Sequence, residues 1–179
     1  MLLDLSKLHG AREHVDRIFP PAAFEPQDPD YLVVEPVMLS VDVEQKGGVA
    51  YRVAGTVKTT LRLQCGRCLE DFPLPVDAAF DLRYVPQSED AAAEAEREIT
   101  QDDLTTAFYS EGMLDLVDLM REQFQLTLPM KPLCAESCHG LCSHCGANLN
   151  RGGCDCKPVW EDPRLAPLKT LLLNRQKEN

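Results

Sequence analysis

The chain has 179 residues, 44% of them hydrophobic, with 18 basic and 29 acidic side chains and a formal net charge of −11 at pH 7. That length suits one domain with a small annex. An acidic balance of this size argues against a broad phosphate-gripping surface, and no run of eighteen apolar residues exists to cross a membrane as a helix.

The opening MLLDLSKL alternates enough to predict a first edge strand. With Asp4 and Lys7 so early, it lacks the basic start and unbroken apolar run of a signal peptide, so the cytoplasm is the expected location. Residues 11–30 hold Pro20, Pro21, Pro26 and Pro29 and read as an irregular connector. From Tyr31 to Glu44 the β-branched run YLVVEPVMLSVDVE predicts a strand, with Pro36 marking an edge or a bulge. Gly47 and Gly48 build a turn into a second strand, where Val57, Thr59, Leu61 and Leu63 share one face. After CGRC, LPVDAAFDLRYVP predicts another strand with Val76, Ala78, Phe80 and Leu82 in step.

Residues 87–99 are acidic and alanine-rich and read as a loop or a short exposed helix. LTTAFYSEG follows as one more strand, closed by a turn at Gly112. Met113, Leu116, Val117, Met120, Phe124 and Leu128 then recur at helical spacing until Pro129 stops the run. This helix should pack its apolar face on the sheet. The tail DPRLAPLKTLL offers Asp162 as N-cap and Pro163 at the first helical position, predicting a terminal helix. The expected fold is α+β: a mainly antiparallel sheet covered by one helix over residues 1–130, then a cysteine-rich annex and helical tail over 131–179.

Charge is uneven along the chain. Residues 87–122 carry eleven acids against Arg97 and Arg121, a local net of −9. A basic protein partner fits that field, the plain alternative being a solvated acidic loop.

The eight cysteines are the strongest signal. A reducing cytoplasm disfavours a disulfide framework and points to metal binding or thiol chemistry. Cys142 and Cys145, in CSHCG, have the spacing of a tight turn that brings two thiolates to one ion, with Gly146 permitting the turn. Cys154 and Cys156 follow after a segment long enough to turn back and complete a four-thiolate zinc site. Cys65 and Cys68 sit in a knuckle between two predicted strands, and Cys134 and Cys138 follow the helix; together these four could build a second site. One zinc drawn from another mixture of the cysteines, an iron–sulfur cluster, and a histidine ligand at His139 or His144 all stay open. CGRC also has the spacing of a redox dithiol. Those place the first thiol at a helix N-terminus, whereas Pro73 and Pro75 here forbid a helix start. No catalytic constellation stands out, so an enzyme is not expected.

Taken in order, LQCGRCLEDF, LPMKPLC, the run from Cys138 to Cys156 and DPRLAPLKTLL resemble the YceD family over about residues 31–173. The resemblance implies a bacterial, non-enzymatic role in accumulation of large-subunit (23S) ribosomal RNA. In that family the gene commonly neighbours one for a small zinc-binding ribosomal protein. Some members lack most of these cysteines, which implies that the one or two zinc ions expected from the cysteine groupings do not define the function and are structural. A ribosomal protein or a pre-large-subunit particle is the implied partner, with no membrane and no small-molecule substrate. Direct rRNA contact would fall on Arg164, Lys169, Arg175 and Lys177 of the tail, which otherwise read as solubilising charges. The competing functions are a thiol redox or zinc-sensing switch and a general protein-interaction module unrelated to ribosomes.

Overall fold

The computed structural model describes residues 1–7, 12–87 and 105–156. The acidic loop predicted at 87–99, from residue 88 on, and the terminal helix lie outside the described residues. The chain forms two compact units, one of Met1–Cys65 with Glu70–Cys134, the other of Gly66–Leu69 with the chain from Ala135.

Within the first unit, β1 (Leu2–Asp4) pairs antiparallel with β8 (Met113–Asp115) as a two-stranded ribbon. Among the described residues, β2 (Arg12–Phe19), β4 (Val37–Lys46), β5 (Ala50–Gln64), β6 (Asp71–Pro86) and β7 (Thr106–Tyr109) follow one another across a six-stranded sheet. The sixth strand, β3 (Leu32–Val33), also pairs with β5. The α+β expectation holds: the described chain is mostly sheet with one helix, α1 (Leu116–Thr127).

Alternation dictates the long strands. Val57, Thr59, Leu61 and Leu63 of β5 are all buried, as are Val76, Phe80 and Tyr84 of β6, with Ala78 and Leu82 half-buried against the same core, while Lys58, Arg62, Asp77, Ala79, Asp81 and Arg83 are exposed. Pro36 breaks the predicted strand into β3 and β4, both pairing with β5. The Thr59 hydroxyl donates to the Glu35 carbonyl beside that break, at 3.1 Å. The β4–β5 turn rests on Gly47 and Gly48, at φ +65° and +86°, where a side chain would be strained.

Three features depart from the sequence reading. Part of the expected connector is β2, an edge strand paired with β4 from Arg12↔Glu44 to Phe19↔Val37. Arg12, Glu13, His14 and Asp16 are exposed, as is the apolar Ile18, and Phe19 alone is fully buried, so its hydrophobic period is faint. β6 begins at Asp71 and contains Pro73 and Pro75. β7 pairs only with Arg83–Pro86, so no described strand needs the N–H groups those prolines lack. That β6–β7 pairing is parallel, in an otherwise antiparallel sheet.

The helix also starts later than its apolar spacing suggests. Met113 and Leu114 belong to β8, and Asp115 caps the helix by accepting from the N–H groups of Val117 (2.8 Å) and Asp118 (3.4 Å). Its buried face is Leu116, Leu119, Met120, Gln123 and Phe124. Phe124 anchors the core, its ring 5.6 Å from that of Phe24 and 5.8 Å from that of Tyr31. No described helix is long and apolar enough to cross a membrane.

Candidate metal centres

The segment after the helix has little apolar material, and its local structure comes from backbone hydrogen bonds around glycines. Cys142 N–H donates to the Ala147 carbonyl (2.8 Å), Gly146 N–H to Cys142 (2.9 Å) and Leu149 N–H to Gly140 (2.9 Å). Leu141 and Asn148 bridge antiparallel, so Gly140–Leu149 is a miniature hairpin with CSHCG at its tip. Gly146 sits at φ +72°, the left-handed turn needed to fold Cys145 back beside Cys142.

CGRC repeats this geometry at the end of β5. Cys65 N–H donates to the Glu70 carbonyl at 2.9 Å, and Leu69, following the second cysteine as Gly146 does, has φ +60°. Arg67, between the two thiols, ties the knuckle to the later segment. Its Nη1 donates to the carbonyls of Cys138 (2.8 Å) and Glu136 (3.2 Å), and its own carbonyl accepts from Leu141 N–H (3.1 Å). A side chain at Gly140 would collide with Arg67, its Cβ falling 3.0 Å from the Arg67 carbonyl oxygen.

The eight thiols fall into two groups. The sulfurs of Cys142, Cys145, Cys154 and Cys156 all lie within 4.8 Å of one another, and so do those of Cys65, Cys68, Cys134 and Cys138. Sulfurs sharing one zinc-sized tetrahedral ion stand roughly 3.8 Å apart, so both groups have the reach to hold a metal. None of the eight forms a disulfide.

Electrostatics in the group of Cys142, Cys145, Cys154 and Cys156 fit a cation. The N–H groups of Cys145 and His144 point at the Cys142 sulfur and draw its thiol down to about 6. The His144 contact measures 3.4 Å. Hydrogen bonding to Cys142 pushes the Cys154 thiol up, and hydrogen bonding to Cys145 together with desolvation pushes Cys156 up to about 12. One thiolate therefore forms readily while its crowded neighbours resist further negative charge. A divalent ion at their centre would remove that resistance.

Neither His139 nor His144 belongs to a group. Each contributes its backbone N–H, His144 to Cys142 Sγ and His139 to Asn150 Oδ1 at 2.7 Å. Cys65 and Cys68 are buried, in a strand-to-strand knuckle followed by β6, a setting that disfavours exchange with an external disulfide. Sequence reasoning missed Asn150, whose Nδ2 donates to Cys138 Sγ at 3.2 Å, and the anchoring role of Arg67. An asparagine in NLN carries no sign that separates a sulfur-binding amide from an ordinary turn residue.

Comparison with known proteins adds an independent line. The family described as Large ribosomal RNA subunit accumulation protein YceD matches residues 53–172, a span holding all eight cysteines. The chain is similar to Large ribosomal RNA subunit accumulation protein YCED homolog 1, chloroplastic, of Zea mays. The two are 31% identical over 156 residues, covering 75% of this chain and 53% of that protein. The Arabidopsis thaliana protein of the same name is 28% identical over 162 residues, covering 79% and 50%. An uncharacterized protein of Mycobacterium leprae is 27% identical over 97 residues, covering 54% and 42%. The chain thus spans about half the length of the curated relatives it matches. No solved structure matches it.

Proposed function

The chain belongs to the YceD family, and from that membership we propose that it promotes accumulation of large-subunit ribosomal RNA by binding, without catalysis. The observation that carries this reading is the family match over residues 53–172. Zinc is the ion we assign to both four-cysteine groups. Four thiolates saturate a zinc ion with electron-rich ligands and leave no position for water or substrate, which suits a structural role. The segment needing such support is plain: between residues 135 and 156 only Cys138 and Gly140 are buried.

The partner we favour is a ribosomal protein or a pre-large-subunit particle. A chain at −11 is poorly suited to gripping rRNA over a broad face and better suited to holding a basic protein. Its place of action would be a thiol-reducing compartment where ribosomes assemble, in a bacterium the cytoplasm.

The test is a subunit profile. Cells lacking the protein should show a fall in large relative to small ribosomal subunits on a sucrose gradient, restored by the wild-type chain. An unchanged ratio sinks the proposal. Native mass spectrometry of anaerobically purified protein addresses the metal: two zinc ions per chain are expected from the two cysteine groups, and iron or no metal overturns the assignment.

A further inference from the structure

Away from the cysteines, β6, β7, β8 and α1 enclose a groove of about 750 Å³ in the first unit. Glu111, Asp115, Asp118 and Glu122 line it, and no lysine or arginine does so among the described residues. Solvated acidic surfaces are common, so the carboxylates alone would mean little. The same groove, however, is lined by two largely buried residues with polar side chains. Tyr84 is 4% exposed and Gln123 6% exposed, and no described residue hydrogen-bonds the Tyr84 hydroxyl or the Gln123 side-chain amide. Among the described residues the Tyr31 hydroxyl is the buried side-chain polar atom left without a partner, so the polar atoms of Tyr84 and Gln123 still open onto the groove, where a ligand can reach them. Burial pushes the Tyr84 phenol upward, and the charges of Glu122 and Asp118 add to the effect, placing both carboxylates near it. At the lip, Leu2, Phe108 and Leu126 are exposed large hydrophobics.

We propose that this groove docks a basic amphipathic segment of a partner protein. Lysine or arginine side chains of the segment pair with Asp118 and Glu122, and its apolar side chains cover Phe108 and Leu126. A backbone carbonyl accepts from the Tyr84 hydroxyl, while the Gln123 amide pairs with a peptide group. Nucleic acid is repelled by a lining whose charged side chains, among the described residues, are all carboxylates. Residues 88–104 of the chain itself carry seven acids against Arg97, so like charge argues against that segment as the occupant. That the partner is ribosomal rests on the family reading; the demand for a basic, partly apolar segment does not.

Fluorescence anisotropy on the full-length, metal-loaded protein tests this. The probe is a labelled twelve-residue peptide alternating leucine with lysine and arginine. A second peptide of equal charge has serine in place of leucine. The alternating peptide should bind more tightly than the serine peptide. Its affinity should fall about tenfold in Asp118→Asn/Glu122→Gln, and less in Tyr84→Phe, as expected for loss of close charge pairs and of one hydrogen bond. Asp77→Asn/Glu13→Gln, which removes equal charge from exposed positions elsewhere on the sheet, should bind like wild type. Equal loss in both charge variants, equal binding of both peptides, or preference for a single-stranded RNA of the same length overturns the proposal. Such a failure would leave the subunit-profile test standing, and a normal profile with intact peptide binding would retain the groove while removing its ribosomal partner.

Discussion

Leu69 shows how one residue's backbone records a shared solution. Both two-residue-spaced cysteine knuckles need a left-handed residue after the second thiol, supplied by Gly146 at φ +72° and by Leu69 at φ +60°. A leucine there pays about 1 kcal/mol for the clash of its Cβ with the following carbonyl, and its side chain is 55% exposed, so packing returns little. Leu69→Gly should therefore raise stability by up to about 1 kcal/mol, read as a higher urea midpoint at unchanged slope. A lower midpoint would mean that the leucine makes contacts worth more than the strain. His14 poses a different single-residue question. Its Nδ1 lies 3.2 Å from Asp42 and its Nε2 3.2 Å from Asp16, and hydrogen bonding to Asp42, then to Asp16, raises it above its ordinary 6.5. The stabilisation this gives is complete below 6.5 and is lost as pH rises through the folded-state value. An NMR titration should find His14 above 6.5 in wild type and closer to it in Asp42→Asn. Identical midpoints would show that the aspartate does not hold the imidazolium.

Among the elements, legibility followed the strength of the local period. β4 and β5 could be read because two residues per turn of the pleat, a glycine turn and β-branched side chains all agreed. β2 could not, because polar and charged residues dominate it, its apolar Ile18 is exposed, and its strand identity comes from pairing with β4, with Arg12 and His14 both reaching Asp42. The parallel direction of β7 was equally hidden, since alternation says which face a residue takes and nothing about strand polarity. The helix stripe predicted at Met113 ran one element too far because an N-cap aspartate, not the end of the apolar pattern, sets where the turns begin. For the cysteines, spacing pointed to Cys142, Cys145, Cys154 and Cys156, and the other four were grouped only as those left over. The structure places each set within 4.8 Å, while Asn150 and Arg67 act through contacts distant in sequence. Gly55 makes a prediction at this scale. It faces Val41 across the β4–β5 pair, and a Cβ there would fall 2.2 Å from the Ser40 carbonyl oxygen and 2.9 Å from the Val41 Cα. Both are backbone atoms of the neighbouring strand, so the sheet itself would have to part. Gly55→Ala should cost about 3 kcal/mol, at the upper end for overpacking, measured by chemical denaturation. A cost below about 1 kcal/mol would mean that β4 yields freely there.

At the scale of the whole molecule, two units reach order by different physics. The first unit has a continuous core running from Leu3 and Phe19 through Val41, Val53 and Leu61 to Phe124, enough apolar burial to hold its sheet without help. The hairpin Gly140–Leu149 has a few backbone hydrogen bonds and almost nothing buried, so under the proposed zinc assignment its order comes from the ion that gathers the thiols of Cys142, Cys145, Cys154 and Cys156. Hydrogen exchange separates these sources. Stripping metal with a strong chelator, or substituting Cys142→Ser, should raise exchange at the amides of Cys142, Gly146 and Leu149 by at least about a hundredfold, since structural zinc supplies most of the folding free energy of such small motifs. Amides of β4, β5 and β6 should keep their protection. If the hairpin amides stay protected without metal, its hydrogen bonds are self-sufficient and the ion is dispensable there. If the sheet amides lose protection as well, the core of the first unit is not the independent source of order that its burial indicates, and the thiol groups hold up far more of the chain than their own loops.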